Sequence, residues 1–478
     1  MNPARARSQT RRHFLGNLTQ GVGAMALASL LGRETSAAGR VRGTGDRPPH
    51  RAPRAKRVIY LHMAGSPPQL DLFDPKPTLD AHDGEPCPEE MLADERFAFL
   101  EGHPTLLASP YRFAPAGQSG LQVSELLPHF RRVADKVLVV RSMHTEEFNH
   151  APAQLFLHSG SPRLGRPSMG SWLTYGLGSE NADLPGFVVL VSGGKTPSAG
   201  KSVWGSGFLP SVHQGVQCRT RGAPVLYLED PEGMDRAGRR RSLDALAELN
   251  RLSHEETADP ETLARIEQYE LAFRMQTSVP EVMDIGRESA ETHALYGSTP
   301  GGESFANNCL LARRLVEEGV RFVQLFDWGW DAHGTGPHDD LIVQLPKKCQ
   351  ETDRPIAALL IDLERRGLLE ETLVVWSGEF GRTSMNERRN GSTYLGRDHN
   401  PHGFTVWLAG GGVKAGYVHG ETDELGYRVA RDPVGVHDLQ ATILHLLGLD
   451  HERLTYRFQG RDFRLTDVFG NVVQDWLA

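Results

Sequence analysis

Short apolar runs alternate with amphipathic segments along most of the chain. The apolar runs have the usual length of buried strands, and they cover residues 58–63, 137–143, 187–191, 320–326, 373–376 and 404–408. Helical spacing of apolar residues appears between them, in residues 153–158, 304–319 and 339–368, the last broken near Pro355. This alternation predicts an α/β fold with a doubly wound, mostly parallel sheet and helices on both faces.

Residues 230–300 show a different pattern, which is helical throughout. Ser242 is predicted to cap a helix that carries Leu243, Leu246 and Leu249, and residues 263–273 repeat the same spacing. We interpret this segment as a helical insertion. The domain that contains it is predicted to span residues 57–478.

The first residues of the chain have the features of a targeting segment. Arg11 and Arg12 precede a phenylalanine and a leucine, which resembles the twin-arginine export consensus. A weakly apolar stretch, too short to span a bilayer stably, and a small-residue cleavage site ending at Ala38 follow. We therefore predict a twin-arginine signal peptide over residues 1–38, recognition by the twin-arginine export machinery, and a periplasmic or extracellular protein. Residues 39–56 are basic and proline-rich, and are predicted to form a solvated linker.

Composition excludes fewer functions than the pattern of apolar and polar residues does. The net charge of −8 over 478 residues gives no footprint for nucleic-acid binding. Four scattered cysteines without a CxxC pair permit disulfides but do not indicate them. The twenty histidines modestly favour metal chemistry.

Ionisable residues cluster where the predicted strands end. Asp331 and His333 follow the run 320–326, and Glu379 follows the run 373–376. Before the run 404–408 the chain offers three more candidates, namely Asp398, His399 and His402. Carboxylates and imidazoles at one edge of a sheet predict a site for one or two divalent ions. Capped turns and hydrogen-bonded loops are the structural alternative for the same residues.

Three other positions complete the candidate site. Asp71 follows the first predicted strand closely enough to reach a metal above its end. Asn149 and His150 stand before the helical segment 153–158 and are candidate catalytic residues. Arg382 is predicted to clamp an anion with its guanidinium, or else to play a structural role.

The order of these motifs resembles the alkaline-phosphatase-like superfamily. The segment GRDHNPHGFTVWLAGGGV places His399 where that superfamily has a metal-binding histidine. SGEFGRT places Glu379 at an acidic metal position, and WDAHG places Asp331 and His333 as a pair for the other metal. NHAPAQLFLHSG is similar to the nucleophile helix, with His150 in place of serine or threonine. The chain from Arg57 onward most resembles the twin-arginine-exported bacterial domain-of-unknown-function family 1501.

Two departures limit what the resemblance implies. His150 replaces the hydroxyl nucleophile, and Gly65 and Ser66 stand where many members carry a metal aspartate, so that Asp71 is only a substitute. The resemblance implies a divalent metal among zinc, calcium, magnesium and manganese, and an anionic ester substrate such as a phosphorylated or sulfated glycan. His150 remains a metal ligand, a general acid or a nucleophile.

Two functions follow as hypotheses. In the first, the protein is an exported metal-dependent hydrolase of phosphate or sulfate esters, because metal-activated water needs no hydroxyl nucleophile. In the alternative, the protein binds a metal or an anionic glycan without turnover.

Overall fold

The computed structural model describes residues 48–478 except 94, 96, 101, 220, 221, 223, 226–229, 231, 232, 388 and 390. The predicted signal peptide and residues 39–47 of the predicted linker lie outside the described residues.

The strands occupy the places that the apolar runs indicate, with short hairpins added. They are β1 (Arg57–Ala64), β2 (Phe113–Ala116), β3 (Leu121–Ser124), β4 (Val137–His144), β5 (Phe187–Ser192), β6 (Val216–Gln217), β7 (Phe322–Trp328), β8 (Thr372–Ser377), β9 (Gly381–Arg382), β10 (His399–Asn400), β11 (Phe404–Ala409), β12 (Tyr417–His419), β13 (Glu421–Thr422), β14 (Val429–Arg431), β15 (Val434–Gly435), β16 (Tyr456–Phe458) and β17 (Arg461–Phe463).

The helices pack around them. They are α1 (Gln69–Leu72), α2 (Pro77–Ala81), α3 (Glu89–Leu92), α4 (His150–Ser159), α5 (Met169–Leu177), α6 (Arg236–Thr257), α7 (Pro260–Met283), α8 (Ala290–Tyr296), α9 (Phe305–Glu317), α10 (Gln344–Arg365) and α11 (Val436–Leu446). Short 3₁₀ helices cover Phe130–Lys136, Gly200–Trp204, Ser211–His213, Ile285–Arg287, Leu369–Glu371 and Gln474–Trp476. No helix among the described residues combines the length and the apolarity needed to cross a membrane.

The central sheet has the strand order β12-β4-β11-β8-β1-β7-β5-β6, and β15 also pairs with β4. β1 pairs in parallel with β7 and β8, while β11 runs antiparallel to both of its neighbours. Apolar side chains pack on both faces: Ile59 and Leu61 belong to one core, and Val58 and Tyr60 to the other. The predicted α/β fold, with a mostly parallel sheet covered on both sides, is confirmed.

Two helix predictions need correction. The segment 339–368 contains one helix, α10 (Gln344–Arg365), which continues through Pro355 without a break. Its buried face packs against the sheet core, and this packing outweighs the local cost of proline. α6 begins earlier than predicted, because Asp235 rather than Ser242 caps it by accepting a hydrogen bond from the Gly238 N–H.

The end of the predicted linker is mostly exposed, as predicted for a solvated segment, but it also packs at Ala55. The N–H groups of Arg54 and Ala55 donate to the Leu446 carbonyl at 2.8 and 2.9 Å, and Ala55 is fully buried. Residues 48–56 therefore include segments that pack against the end of α11, despite their basic and proline-rich composition.

Candidate metal centre

The carboxyl ends of β1, β7 and β8 meet at one edge of the sheet, because β1 pairs in parallel with both of the other strands. Gly65, directly after β1, has φ of +109°, and a Cβ there would lie 2.6 Å from the backbone nitrogen of Asp331. Only glycine allows the turns after β1 and β7 to approach this closely. Gly396 plays a similar part, because a Cβ there would lie 2.0 Å from the carbonyl carbon of His333.

Four side chains converge at this edge: His150, Asp331, His333 and His399. One donor atom from each lies within 4.8 Å of the corresponding atoms of the other three. Oδ1 of Asp331 is at the centre, with the Nε2 atoms of His333, His150 and His399 at 2.8, 3.2 and 3.5 Å. The Nε2 atoms of His333 and His399 are themselves 3.2 Å apart.

Each imidazole is anchored through its other nitrogen, Nδ1. The contacts are His150 to Oε1 of Glu379 at 2.6 Å, His333 to Oε2 of Glu387 at 2.5 Å, and His399 to the carbonyl of Phe148 at 2.7 Å. A carboxylate or a carbonyl accepts a hydrogen bond, so each Nδ1 carries a proton, and each Nε2 faces Asp331 and can bind a metal once it carries no proton. Histidine ligands of protein-bound metals are oriented in this way.

The charges around the cluster set its protonation. Burial opposes ionisation of Asp331, but Arg382 and the three imidazoles outweigh it and hold its pKa well below the usual range. Burial also opposes protonation of His150, yet hydrogen bonds to Asp331 and Glu379 raise its pKa to about 9. Burial lowers the pKa of His399 to about 4. Without a metal, the cluster therefore holds a proton on His150 at neutral pH.

Glu379 lies behind His150 rather than at the centre of the cluster. Its fully buried carboxylate also accepts hydrogen bonds from the backbone N–H of Gly65 at 3.1 Å and from Nε2 of Gln154 at 2.9 Å. Nε2 of His62 is 3.2 Å away. The hydrogen bonds from His150 and His62 overcome the effect of burial and hold the pKa of Glu379 well below the usual range. Glu379 thus orients a candidate ligand.

Arg382 does not form the predicted anion clamp. Its side chain is fully buried, and the guanidinium donates to the carbonyls of Gly65, Ser66 and Arg397 and to Asp331. These contacts hold Asp331 in place and neutralise it, so the structural alternative for Arg382 applies.

Asp71 is not part of the cluster, contrary to the prediction. Its two oxygens accept from Nε and Nη2 of Arg397 at 2.8 and 3.1 Å, and both side chains are fully buried. Helix α1 begins directly after the strand-end turn and directs Asp71 toward this arginine. The pair joins two loops beside the site.

Asp398 and His402 anchor a covering segment. Oδ2 of Asp398 accepts from the N–H groups of Phe99 and Leu100 at 2.7 and 2.9 Å, and His402 contacts Glu95 at 3.0 Å. The ring of Phe99 packs edge-on against His333 and His399, with centroids 5.0 and 5.5 Å away. These two predicted metal ligands therefore hold a cover over the centre.

A second group of possible ligands, His333, Glu387 and Asp398, lies beside the first. Its atoms are already engaged: Asp398 accepts three backbone N–H groups, and Glu387 contacts His333 and Arg389. This group supports the first cluster through the hydrogen bond between His333 and Glu387.

Asn149 is exposed at the position before His150, where it is the N-cap of α4. The structure records no side-chain hydrogen bond between Asn149 and any described residue. Its side-chain amide is therefore exposed, directly before His150 in the chain.

Comparison with known families identifies the chain. The model of the family described as "Protein of unknown function (DUF1501)" matches residues 55–477. The protein belongs to the DUF1501 family. This confirms the family resemblance that the ordered motifs predict. A comparison with curated protein sequences finds no match.

Solved structures similar to this DUF1501 chain include PsFucS1 sulfatase from Pseudoalteromonas sp., with 12% identity and a TM-score of 0.35 over 84% of this chain and 69% of that one. An alkaline phosphatase superfamily protein from Vibrio parahaemolyticus has 10% identity and a TM-score of 0.35 over 89% and 74%. A magnesium-bound mutant of TAB5 alkaline phosphatase has 12% identity and a TM-score of 0.32 over 83% and 99%. Similarity with such low identity and TM-score gives no information about the activity of this chain.

His62 and Glu387 contact the predicted site residues but are not themselves among those predicted. His62 carries a signal in the sequence, because it is an ionisable residue inside the apolar run 58–63. Glu387 carries none, since it lies in an irregular loop. Its position depends on a hydrogen bond from its own N–H to the Gly396 carbonyl at 2.9 Å.

Proposed function

We propose that this protein is an exported hydrolase of phosphate or sulfate esters, which binds one divalent metal through His150, Asp331, His333 and His399. One observation carries the proposal: three Nε2 atoms and a carboxylate oxygen converge within 4.8 Å, and every imidazole is anchored through Nδ1. Histidine ligands oriented in this way are ready to bind one cation once the proton on His150 has left.

The chemistry of the four ligand atoms also narrows the choice of metal. Three imidazoles and one carboxylate suit zinc or manganese, whereas calcium and magnesium prefer oxygen ligands throughout. We therefore propose zinc or manganese over the two alkaline-earth ions. When bound, the ion supplies Lewis acidity toward an ester oxygen and lowers the pKa of a coordinated water.

The chain's own residues have distinct roles in this proposal. His150 is a ligand rather than a nucleophile or a general acid, because its Nδ1 is occupied by Glu379 and its Nε2 faces Asp331. Arg382 keeps Asp331 ionised and fixed. The exposed amide of Asn149 binds an oxygen of the anionic group. Phe99 limits the access of water to His333 and His399.

The proposed substrate is an anionic ester, such as a phosphorylated or sulfated glycan outside the cytoplasm. The pair Arg11 and Arg12 supports export by the twin-arginine route, with residues 1–38 removed as a signal peptide. That route carries folded proteins, so the metal is loaded before export. The net charge of −8 makes nucleic acid an unsuitable substrate.

Non-catalytic binding of metal or anionic glycan is the second candidate, and two observations favour it. His150 replaces the hydroxyl nucleophile, and Arg382 is buried where an anion clamp was expected. A direct assay separates the two functions. Zinc- and manganese-loaded protein is tested on 4-nitrophenyl phosphate, 4-nitrophenyl sulfate and sulfated oligosaccharides, with Asp331→Asn as the inactive control. Turnover that Asp331→Asn abolishes supports the hydrolase. Bound metal without turnover on any ester supports the binding protein.

A further inference from the structure

A row of buried polar side chains extends from the metal centre into the core between α4 and the sheet. His150, Gln154 and His158 recur every four residues along α4, so they lie on one face of the helix. That face contacts His62 of β1 and Gln324 of β7. Apart from His150, every member of the row is at most 1% exposed.

The row is continuous at hydrogen-bonding distance. Starting from Glu379, the contacts are Oε2 to His62 Nε2 at 3.2 Å, His62 Nδ1 to His158 Nε2 at 3.3 Å, and His158 Nδ1 to Gln324 Nε2 at 3.1 Å. On its other side, Oε1 of Glu379 contacts His150 and Gln154. Glu379 thus joins the metal centre to the buried row.

The direction of donation along the row follows from Glu379. An ionised carboxylate accepts only, so the His62 Nε2 that faces Glu379 across 3.2 Å carries the proton, and the Nδ1 of the same ring accepts. His158 therefore donates from Nε2 to His62, and its own Nδ1 must accept in turn. Gln324, through its amide group, supplies that donor.

The far end of the row agrees with this direction. Burial and the adjacent His62 lower the pKa of His158 well below its usual range, so His158 is neutral. A neutral imidazole has one donor and one acceptor nitrogen, and the amide N–H of Gln324 donates to the acceptor, Nδ1 of His158. If the row ran in the opposite direction, an imidazole lone pair would face the carboxylate of Glu379 in a fully buried place, which is costly.

We propose that His62, His158 and Gln324 are positioning residues, which fix Glu379 as an acceptor so that His150 presents Nε2 as a free lone pair to the metal. This inference rests on the metal site of the proposed function. The set of residues that orient His150 then includes not only Glu379 but also the hydrogen-bonded row that ends at Gln324 in β7.

The first test measures zinc affinity in the mature protein by competition with a chromophoric chelator. His62→Phe removes the donor to Glu379, and the expected result is a dissociation constant about 10- to 100-fold higher, as for other groups behind metal ligands. His62→Gln keeps an N–H donor and is expected to restore most of the affinity. Gln324→Leu is also expected to weaken zinc binding. If His62→Phe does not fold, the zinc affinity of Gln324→Leu tests the positioning role instead.

Tyr60→Phe is the matched control. Tyr60 lies two residues before His62 on the same face of the strand and is equally buried. The substitution removes only its 2.9 Å hydrogen bond to Ser377, which lies outside the row. Its zinc affinity is expected to equal that of wild type. A second readout is the visible absorption of the Co²⁺-loaded protein, which reports coordination. It is expected to change in His62→Phe and Gln324→Leu but not in Tyr60→Phe.

These outcomes separate the inference from the proposed reaction. Zinc affinities of His62→Phe and Gln324→Leu that equal those of the Tyr60→Phe control overturn the positioning role, even if the wild type hydrolyses esters. Weakened zinc binding in these variants supports it, even if the wild type hydrolyses no ester. A wild type that binds neither zinc nor Co²⁺ overturns both.

Discussion

Nδ1 of His150 lies 2.6 Å from Oε1 of Glu379, and that carboxylate is completely buried. Glu379, the acidic residue that follows β8, therefore contacts His150 instead of facing the centre of the metal cluster. This relationship assigns the two residues different parts: His150 offers its Nε2 to a metal, and Glu379 sets the direction in which the ring points.

Asp71→Asn tests whether this aspartate is structural. The change leaves Arg397 buried without its counter-charge, so the free energy of unfolding is expected to fall by about 3 kcal/mol. Bound zinc per protein is expected to stay unchanged, because Asp71 is not part of the cluster. Chemical denaturation and metal analysis check the two results. Loss of zinc without loss of stability would instead make Asp71 a ligand.

Zinc affinity is expected to depend on pH through His150. In the metal-free protein its pKa is about 9, above the ordinary value of 6.5, so the ring is protonated at neutral pH. That proton must leave before Nε2 can bind, and affinity therefore rises about tenfold per pH unit up to about pH 9. Calorimetry in buffers with different ionisation enthalpies measures the released proton. An affinity that does not change between pH 6.5 and 8.5 contradicts this assignment.

The same proton affects the stability of the metal-free protein. Because the folded-state pKa of His150 is raised, its contribution is fully present below pH 6.5 and is lost as the pH rises through about 9. His333, whose pKa is also raised through hydrogen bonds to Asp331 and Glu387 that outweigh burial, contributes with the same sign.

Phe99→Ala is expected to speed the release of zinc to a chelator, because the ring covers His333 and His399. The zinc content at equilibrium is expected to stay near that of wild type, since no ligand is removed. Stopped-flow mixing with EDTA measures the rate. Leu164→Ala, at a side chain that is 72% exposed, is a control for loss of an apolar group. Equal release rates in all three proteins argue against a cover.

Replacing Arg11 and Arg12 with lysines tests export. The paired arginines are the recognition element of a twin-arginine leader, so the uncleaved precursor is expected to accumulate in the cytoplasm. Cell fractionation and immunoblotting check its location. Normal export of the double variant would exclude this route.

The sequence predicts the sheet well because most of its long strands are buried on both faces. Such strands read as continuous apolar runs, and β1, β4 and β8 match the predicted runs within one residue at each end. Asp331, His333 and His399 are also predictable, since each adjoins a strand whose end lies at the same edge of the sheet.

Other parts of the site depend on tertiary pairing that local pattern does not encode. Asp71 pairs with Arg397, 326 positions away, and nothing near Asp71 distinguishes that partner from a metal. Asp398 and His402 adjoin a strand just as His399 does, yet they contact the covering segment. Which of these neighbours faces the centre is decided by the loop path, which Gly396 and the β9–β10 pairing determine.

Zinc content is the most direct measurement of the central claim. Wild-type protein, reconstituted with zinc and dialysed, is expected to hold about one equivalent. His399→Ala, Asp331→Ala and His150→Ala are each expected to hold well under half an equivalent, because each removes a ligand. His402→Ala, a histidine that contacts Glu95 instead, is the matched control and is expected to keep the full equivalent. A wild type without bound metal, or a His399→Ala variant that keeps as much zinc as His402→Ala, would contradict the metal centre.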